Sequence, residues 1–346
     1  MMIAKYVQKL EAYTPGEQPK LKSVVKLNTN ENPDPPSPRC AQVLKNFDLD
    51  KLRRYPDPVF AELREALAKL NGTKAENIFV GNGSDEILSV AARAFVEDDE
   101  KIGSLDPSYS LYKTLADIRN VPWVGIDTAE AEKPKMELRD KKVSLFLWTN
   151  PNAPTGVCAP EKKIKAFAKA FPGVVIVYEA YADFAKENCM ALAVKRGNRN
   201  VIVMRTFSKS YSLAGLRVGY CVGPKDLIDA MYKVKDSYNV DAVAQAIALA
   251  AVKDQKWMLR NVARVVKERA KLTKELQNRG WDVMPSESNF LFARPPKGNA
   301  KEIFENLKSK NVFVRYFPSS PKTSDRIRIT VGTCDEMKAL LAAIDF

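Results

Sequence analysis

The chain has 346 residues, 45% of them hydrophobic and 28% charged, with a net charge of +13, five cysteines and no histidine. That length suits one large domain plus a smaller one, no apolar run approaches the roughly 20 residues of a membrane span, and the interleaving of acidic with basic residues (VVKERAKLTKELQNRG) speaks for a solvated surface, not a nucleic-acid face. Without histidine there is no Ser-His-Asp triad, Cys-His pair or histidine metal site, and five scattered cysteines with no CxxC pair argue against a disulfide framework or a zinc site.

The opening MMIAKYVQKLEAY mixes charge with apolar residues and lacks a signal-peptide core, so a cytoplasmic protein is expected. A segment rich in Pro and Asn follows, up to Pro38. PVFAELREALAKLNG (Pro58 to Gly72) spaces its apolar residues as a helix, stopped by Asn71-Gly72. NIFVGNGSDEILSVAARAFV reads as a short strand, a Gly-Asn-Gly turn and a helix opening at Ser84-Asp85-Glu86. KIGSLDPSYSLYKTLADI reads as strand, turn at Pro107 and helix. KVSLFLWTNPNAPTG is a buried strand ending in a Pro/Asn loop. VVIVYEAYADF (Val174 to Phe184) runs four apolar residues into Tyr178, Glu179, Ala180 and Tyr181, and NVIVMRTFSKSYSLAGLRVGY supplies the next strand and loop. Strands alternating with helices imply an α/β fold with a mostly parallel sheet covered on both faces. After Gly223-Pro224 helical segments dominate to Gly280, and the short strands NFLFARP, VFVRYF and RIRITVG follow. A smaller α+β domain is expected there, giving a large domain over 39–240 and a small one from 1–38 plus 241–346.

In open α/β sheets ligands bind at the carboxyl ends of the strands, and four loops put unusual residues at those ends. GNGSDE (Gly81 to Glu86) offers glycines and a helix N-terminus, which suits an anion and equally suits a plain strand-to-helix turn. TFSKSYSLAGLRVGY places Thr206, Ser208 and Lys209 at a strand end, with Arg217 eight residues beyond the lysine. A lysine at the mouth of a buried strand serves as a nucleophilic amine; the alternative is a solvated surface lysine. TNPNAPTG presents asparagine side chains, and DPSYSLY presents Tyr109, either to stack on a flat ring or to fill the core.

Taken in order, GNGSDE, PSY, NPNxPTG, xEAY and SKxxxxxxxR resemble the fold-type I pyridoxal-phosphate enzymes, specifically the aminotransferases. YTPGEQP, KLNTNENPDPPSP, RYPDP and IRITVGT extend the resemblance to the histidinol-phosphate aminotransferase family, over almost the entire chain. The related phosphothreonine decarboxylases and aromatic aminotransferases share much of this pattern. The resemblance implies that Lys209 carries pyridoxal phosphate and then moves the proton. It implies that Gly83, Ser84, Asp85, Thr206, Ser208 and Arg217 clamp the cofactor phosphate. Tyr109 would stack on the ring, and Tyr181 would bond its 3-oxygen. Tyr55 would reach the cofactor of a neighbouring subunit, so that a homodimer shares its active sites. Arg328 would take the substrate's anionic group, with Arg315 and Tyr13 as helpers at a substrate phosphate and Asn32 as a further substrate-binding residue, in a transamination between histidinol phosphate and glutamate or 2-oxoglutarate in histidine biosynthesis.

Two positions depart from the family pattern. Ala153 stands where many relatives have an asparagine that donates to the ring 3-oxygen, so that donor is either missing or supplied by Asn152. Tyr178 stands where the family has an aspartate that keeps the pyridine nitrogen protonated and makes the ring an electron sink. A tyrosine, with a pKa near 10, offers a hydrogen bond there but no charge, so slowed transamination is expected. Glu179 should point to the opposite face of the strand and not replace it. Two other readings stay open: a decarboxylase or aromatic aminotransferase on the same scaffold, and an inactive or engineered variant that binds the cofactor without turnover.

Overall fold

The computed structural model describes residues 2–10, 16–19, 23–128, 138, 142–296 and 299–344; Tyr13 lies outside them. A short strand β1 (Val25–Lys26) pairs in parallel with β11 (Val312–Phe313) far along the chain. The next seven strands are β2 (Ile78–Gly81), β3 (Lys101–Asp106), β4 (Trp123–Asp127), β5 (Val143–Thr149), β6 (Val174–Tyr178), β7 (Val201–Thr206) and β8 (Gly219–Val222). They form one sheet in the order β2-β8-β7-β6-β5-β3-β4. All its neighbours run parallel except β8, which is antiparallel to both β2 and β7. The continuous apolar strands seen in the sequence are those of a sheet buried on both faces; Val175, Ile176 and Val177 of β6 have no exposed surface.

Register fixes the site. Thr149, Tyr178 and Met204 are aligned across β5, β6 and β7, so the loops after Asp106, Thr149, Tyr178 and Thr206 leave the sheet on one side. The ladder continues one residue further, with Asn150 N donating to Tyr178 O (2.9 Å) and Glu179 N to Met204 O (2.8 Å).

The remaining strands, β9 (Asp282–Val283), β10 (Phe290–Arg294), β12 (Arg315–Tyr316) and β13 (Ile327–Thr330), form an antiparallel sheet ordered β12-β13-β10-β9. Its buried face packs with the helices Ala300–Ser309 and Cys334–Ile344 in a second hydrophobic cluster, separate from the one around the large sheet. The helix Ala242–Val252, assigned to the small domain from sequence, buries Ala244, Ile247, Ala248 and Ala251 in the first cluster instead. The changeover falls within the helix Gln255–Asn278: Met258, Val262 and Val265 pack on the first cluster, Leu272 and Leu276 on the second. The segment 27–37 is strung between them, with Thr330 N donating to Leu27 O (2.9 Å) and Asn289 Nδ2 to Asn30 O (2.9 Å). The five cysteines are free thiols.

Candidate active site

Lys209 lies three residues beyond the end of β7, at the mouth of the sheet. Its Nζ donates to Thr29 O (3.0 Å). Burial disfavours the ammonium, the Arg328 and Arg217 guanidiniums add repulsion that Glu31 partly offsets, and the amine is held at a pKa of about 8. The loop is fixed from two sides. Asn32 Nδ2 donates to Lys209 O (2.9 Å) and Ser210 O (3.3 Å), and Ser210 Oγ donates to Asp183 Oδ2 (2.5 Å). Among the residues sequence reasoning assigned to substrate, Asn32 therefore spends its amide on the lysine-bearing backbone.

Beside the lysine is a cradle suited to an anion. The helix Gly83–Phe95 opens there, with unsatisfied N–H groups and the positive end of its dipole. Gly83 has φ +79°, and a Cβ on it would lie 2.6 Å from Arg217 Nη2, so glycine lets the guanidinium close over the helix end. Arg217 itself adopts φ +56°, an uncommon conformation for a non-glycine residue and one typical of functional sites. Its Nη2 lies 3.5 Å from Asp85 Oδ2. Thr206 Oγ1 donates to Ser208 Oγ (3.0 Å) and accepts from Ser208 N (3.1 Å). Both hydroxyls are buried.

Tyr178 ends β6 only 8% exposed. Its hydroxyl is 2.6 Å from Ser84 Oγ, which ties the strand end to the first turn of the cradle helix. Burial pushes this phenol well above its usual pKa, more than the Ser84 hydrogen bond lowers it, so it is neutral across the physiological range. Glu179 faces the other way, as alternation along a strand requires. Its carboxylate accepts from Arg205 Nε (3.0 Å) and Nη2 (2.8 Å) and from Cys189 N. Burial raises its pKa, against the pull of Arg205. Arg205 Nη1 also reaches Asp183 (3.3 Å), so this buried network runs through Asp183 to Ser210, the neighbour of Lys209.

Tyr109 tilts its ring 48° to that of Tyr178, with centroids 6.2 Å apart, and donates to Asp85 Oδ1 (3.2 Å). Tyr181 Oη accepts from Asn30 Nδ2 (2.9 Å). Asn152 has its amide engaged in bracing loops: Nδ2 donates to Pro107 O (2.9 Å) and Thr155 Oγ1 (3.1 Å), and Oδ1 accepts from Ser108 Oγ (2.8 Å). Arg315 and Arg328 are direct cross-strand partners on β12 and β13, with Arg328 Nη2 donating to Asn28 O (2.8 Å). Tyr55 stands apart from this group. It is 79% exposed and stacks on Tyr238 at 4.3 Å.

The structure thus brings Gly83, Ser84, Asp85, Tyr109, Tyr178, Tyr181, Thr206, Ser208, Lys209 and Arg217 around the carboxyl ends of β6 and β7 and the helix end facing them. Thr29, Asn30, Asp183 and Ser210 join them without having been singled out from sequence. Thr29 contributes a backbone carbonyl, which leaves no side-chain signal. Asn30 has one trace, an asparagine tolerant of the left-handed conformation it adopts (φ +56°).

The chain is similar to known proteins over almost its whole length. The family model for aminotransferase class I and II matches residues 22–344. Histidinol-phosphate aminotransferase 1 of Trichormus variabilis is 42% identical over 344 residues, 98% of this chain and 96% of the relative. The histidinol-phosphate aminotransferase of Syntrophotalea carbinolica is 42% identical over 343 residues, 98% and 97% of the two chains. Among solved structures, histidinol-phosphate aminotransferase from Sinorhizobium meliloti in complex with pyridoxal-5'-phosphate superposes with a TM-score of 0.89 at 25% identity, covering 99% of this chain and 96% of that one.

Proposed function

Because the chain belongs to the class I and II aminotransferase family and, within it, groups with the histidinol-phosphate aminotransferases, we propose that it catalyses transamination between histidinol phosphate and 2-oxoglutarate in histidine biosynthesis, with pyridoxal phosphate bound at Lys209. The observation that carries the reading is a partly buried lysine amine with a pKa of about 8 set beside an anion cradle. The residues present fit the cofactor. A Cβ at position 83 would collide with Arg217, so the space at the helix end is kept for that guanidinium and the anion it binds. Free N–H groups at Ser84 and Asp85 and the hydroxyls of Thr206 and Ser208 complete a donor set for a phosphate.

When bound, the cofactor supplies an electron sink for the bond-breaking at the substrate carbon that bears the amine. The chain supplies the rest. Once the substrate amine has taken its place on the cofactor, the freed Lys209 Nζ, neutral in a useful fraction of molecules near pH 7, would accept the proton from that carbon and deliver it to the cofactor's aldehyde carbon. Asn32 and the Ser210–Asp183 pair keep the amine in place. Arg328 and Arg315 orient the anionic end of each substrate, since a guanidinium takes a carboxylate or a phosphate alike; Tyr13 is the further helper for the phosphate. Tyr181, held by Asn30, would bond the ring 3-oxygen, and the Asn152 amide, engaged in bracing the loops, would not stand in as the donor for Ala153. Tyr178 would offer the ring nitrogen a neutral hydrogen-bonding group and no charge, which would lower the rate without preventing binding.

The working unit is a cytoplasmic homodimer. Support comes from the exposed Tyr55–Tyr238 stack and the exposed apolar residues Leu44, Leu49, Leu52 and Val59 of the same stretch, a concentration typical of an interface. Among the described residues no helix is long and apolar enough to cross a membrane.

The test is the purified protein loaded with pyridoxal phosphate, histidinol phosphate and 2-oxoglutarate, with glutamate measured over time. Glutamate formed from histidinol phosphate but not from phosphothreonine or aromatic amino acids is expected. Carbon dioxide release from phosphothreonine without glutamate would assign the decarboxylase reading instead.

A further inference from the structure

The side chain that ends β6 reaches the anion cradle. Tyr178 Oη lies 2.6 Å from Ser84 Oγ, in the first turn of the helix Gly83–Phe95. Both side chains are buried, so this contact is shielded from water that would compete for it. The turn that carries Ser84 is held firmly from the sheet side. A Cβ on Gly219, the first residue of β8, would lie 3.0 Å from Ser84 N and 3.1 Å from Gly83 C, so the strand backbone and the helix end meet directly. Arg217 closes over Gly83 from the other direction, 2.6 Å from where a Cβ would stand. The Ser84 hydroxyl is thus placed among the anion-binding groups, with the phenol in contact.

We infer that Tyr178 is a positioning residue of the anion cradle: its O–H donates to Ser84 Oγ and so turns the Ser84 O–H onto the phosphate of the cofactor. The direction follows from the protons available. Each hydroxyl carries one, and the oxygens of an ionised phosphate only accept. When Ser84 gives its proton to the anion, its oxygen is left to accept, and the phenol is the donor within reach. Burial keeps that phenol protonated across the physiological range. Two hydrogen bonds in series polarise one another, which strengthens the one to the anion. A carboxylate in contact with Ser84 would act in the opposite sense. It accepts only, and so would compete with the phosphate for the single Ser84 proton. The tyrosine therefore gives up a charge at the ring nitrogen and gains a firmer hold on the phosphate. The inference rests on the reading above that seats the cofactor phosphate in this cradle.

The experiment titrates the full-length apoprotein with pyridoxal phosphate and with pyridoxal, which lacks the phosphate, in the parent, Tyr178→Phe, Ser84→Ala and the double variant. Tyr178→Phe removes one oxygen and keeps the ring; should it not fold by melting curve, Tyr178→Leu takes its place. The dissociation constant for pyridoxal phosphate, read by fluorescence, should rise about tenfold in each single variant, while that for pyridoxal stays within about twofold. The double variant should bind no more weakly than the weaker single one, because the two hydroxyls act as a unit. Equal weakening for both ligands in Tyr178→Phe would assign the phenol to the ring alone and overturn the inference. Unchanged affinity for pyridoxal phosphate, or losses that add in the double variant, would also overturn it. Should the parent bind no pyridoxal phosphate, the functional reading fails by itself. Calorimetric titration with inorganic phosphate then decides the inference: about tenfold weaker binding in both single variants upholds it, and equal binding, or none in the parent, refutes it.

Discussion

The pH dependence of cofactor attachment follows from the surroundings of Lys209. Only the neutral amine attacks an aldehyde. With its pKa lowered from 10.5 to about 8, Lys209 is neutral in about one molecule in eleven at pH 7, against about one in three thousand for an unperturbed lysine. Attachment at pH 7 should therefore run about 300-fold faster than at an ordinary lysine. The sign is fixed by the direction of the shift. The rate climbs with pH up to about 8 and then levels, because above its pKa the amine is already neutral. Arg328→Gln removes a positive neighbour that disfavours the ammonium, so the midpoint should move to higher pH and attachment at pH 7 should slow. Burial, the largest cause, remains, so the midpoint should stay below that of a free lysine. Stopped-flow mixing of apoprotein with pyridoxal phosphate between pH 6 and 10 measures this. A rate still rising about tenfold per pH unit at pH 10 would refute the lowered pKa. An unchanged midpoint in Arg328→Gln would refute the coupling between the two residues.

Three further outcomes test other parts of the site. Tyr178→Asp should speed single-turnover conversion of histidinol phosphate by the holoenzyme by more than about tenfold, by restoring a charge at the ring nitrogen; an unchanged or slower rate would remove Tyr178 as the brake. Gly83→Ala puts a Cβ 2.6 Å from Arg217 Nη2 at a φ of +79°, so the dissociation constant for pyridoxal phosphate, read by fluorescence titration, should rise about tenfold, corresponding to the roughly 1–2 kcal/mol of left-handed strain. Unaltered affinity would show that the cradle does not depend on that close approach. Arg205→Leu leaves the Glu179 carboxylate buried without its guanidinium, and denaturant unfolding should show a loss of about 3–5 kcal/mol; parental stability would mean that Glu179 is not held as an ion.

Much of this was legible in the sequence because strand ends and helix starts carry local signatures. The apolar runs gave the strands of the sheet, Ser84-Asp85-Glu86 marked a helix N-terminus that begins one residue earlier at Gly83, and alternation along β6 correctly sent Glu179 away from Tyr178. What escaped was long-range or carried by backbone. The Thr29 carbonyl that receives the Lys209 amine lies 180 residues away in sequence, and Asn30 meets Tyr181 across 151 residues. Asn152 looked like a donor to a ligand, but its amide is consumed by Pro107, Ser108 and Thr155, contacts set by how two loops meet. The alanine-rich helix Ala242–Val252 is apolar nearly all round, so periodicity could not say which cluster would bury it.

The central claim is that Lys209 is the residue that carries the cofactor, and borohydride reduction of the holoenzyme followed by peptide mass mapping tests it most directly. The account predicts a pyridoxyl-phosphate mass on the peptide containing Lys209 and on no other lysine, lost in Lys209→Ala. Labelling at a different lysine, or an equal spread over several, would contradict it.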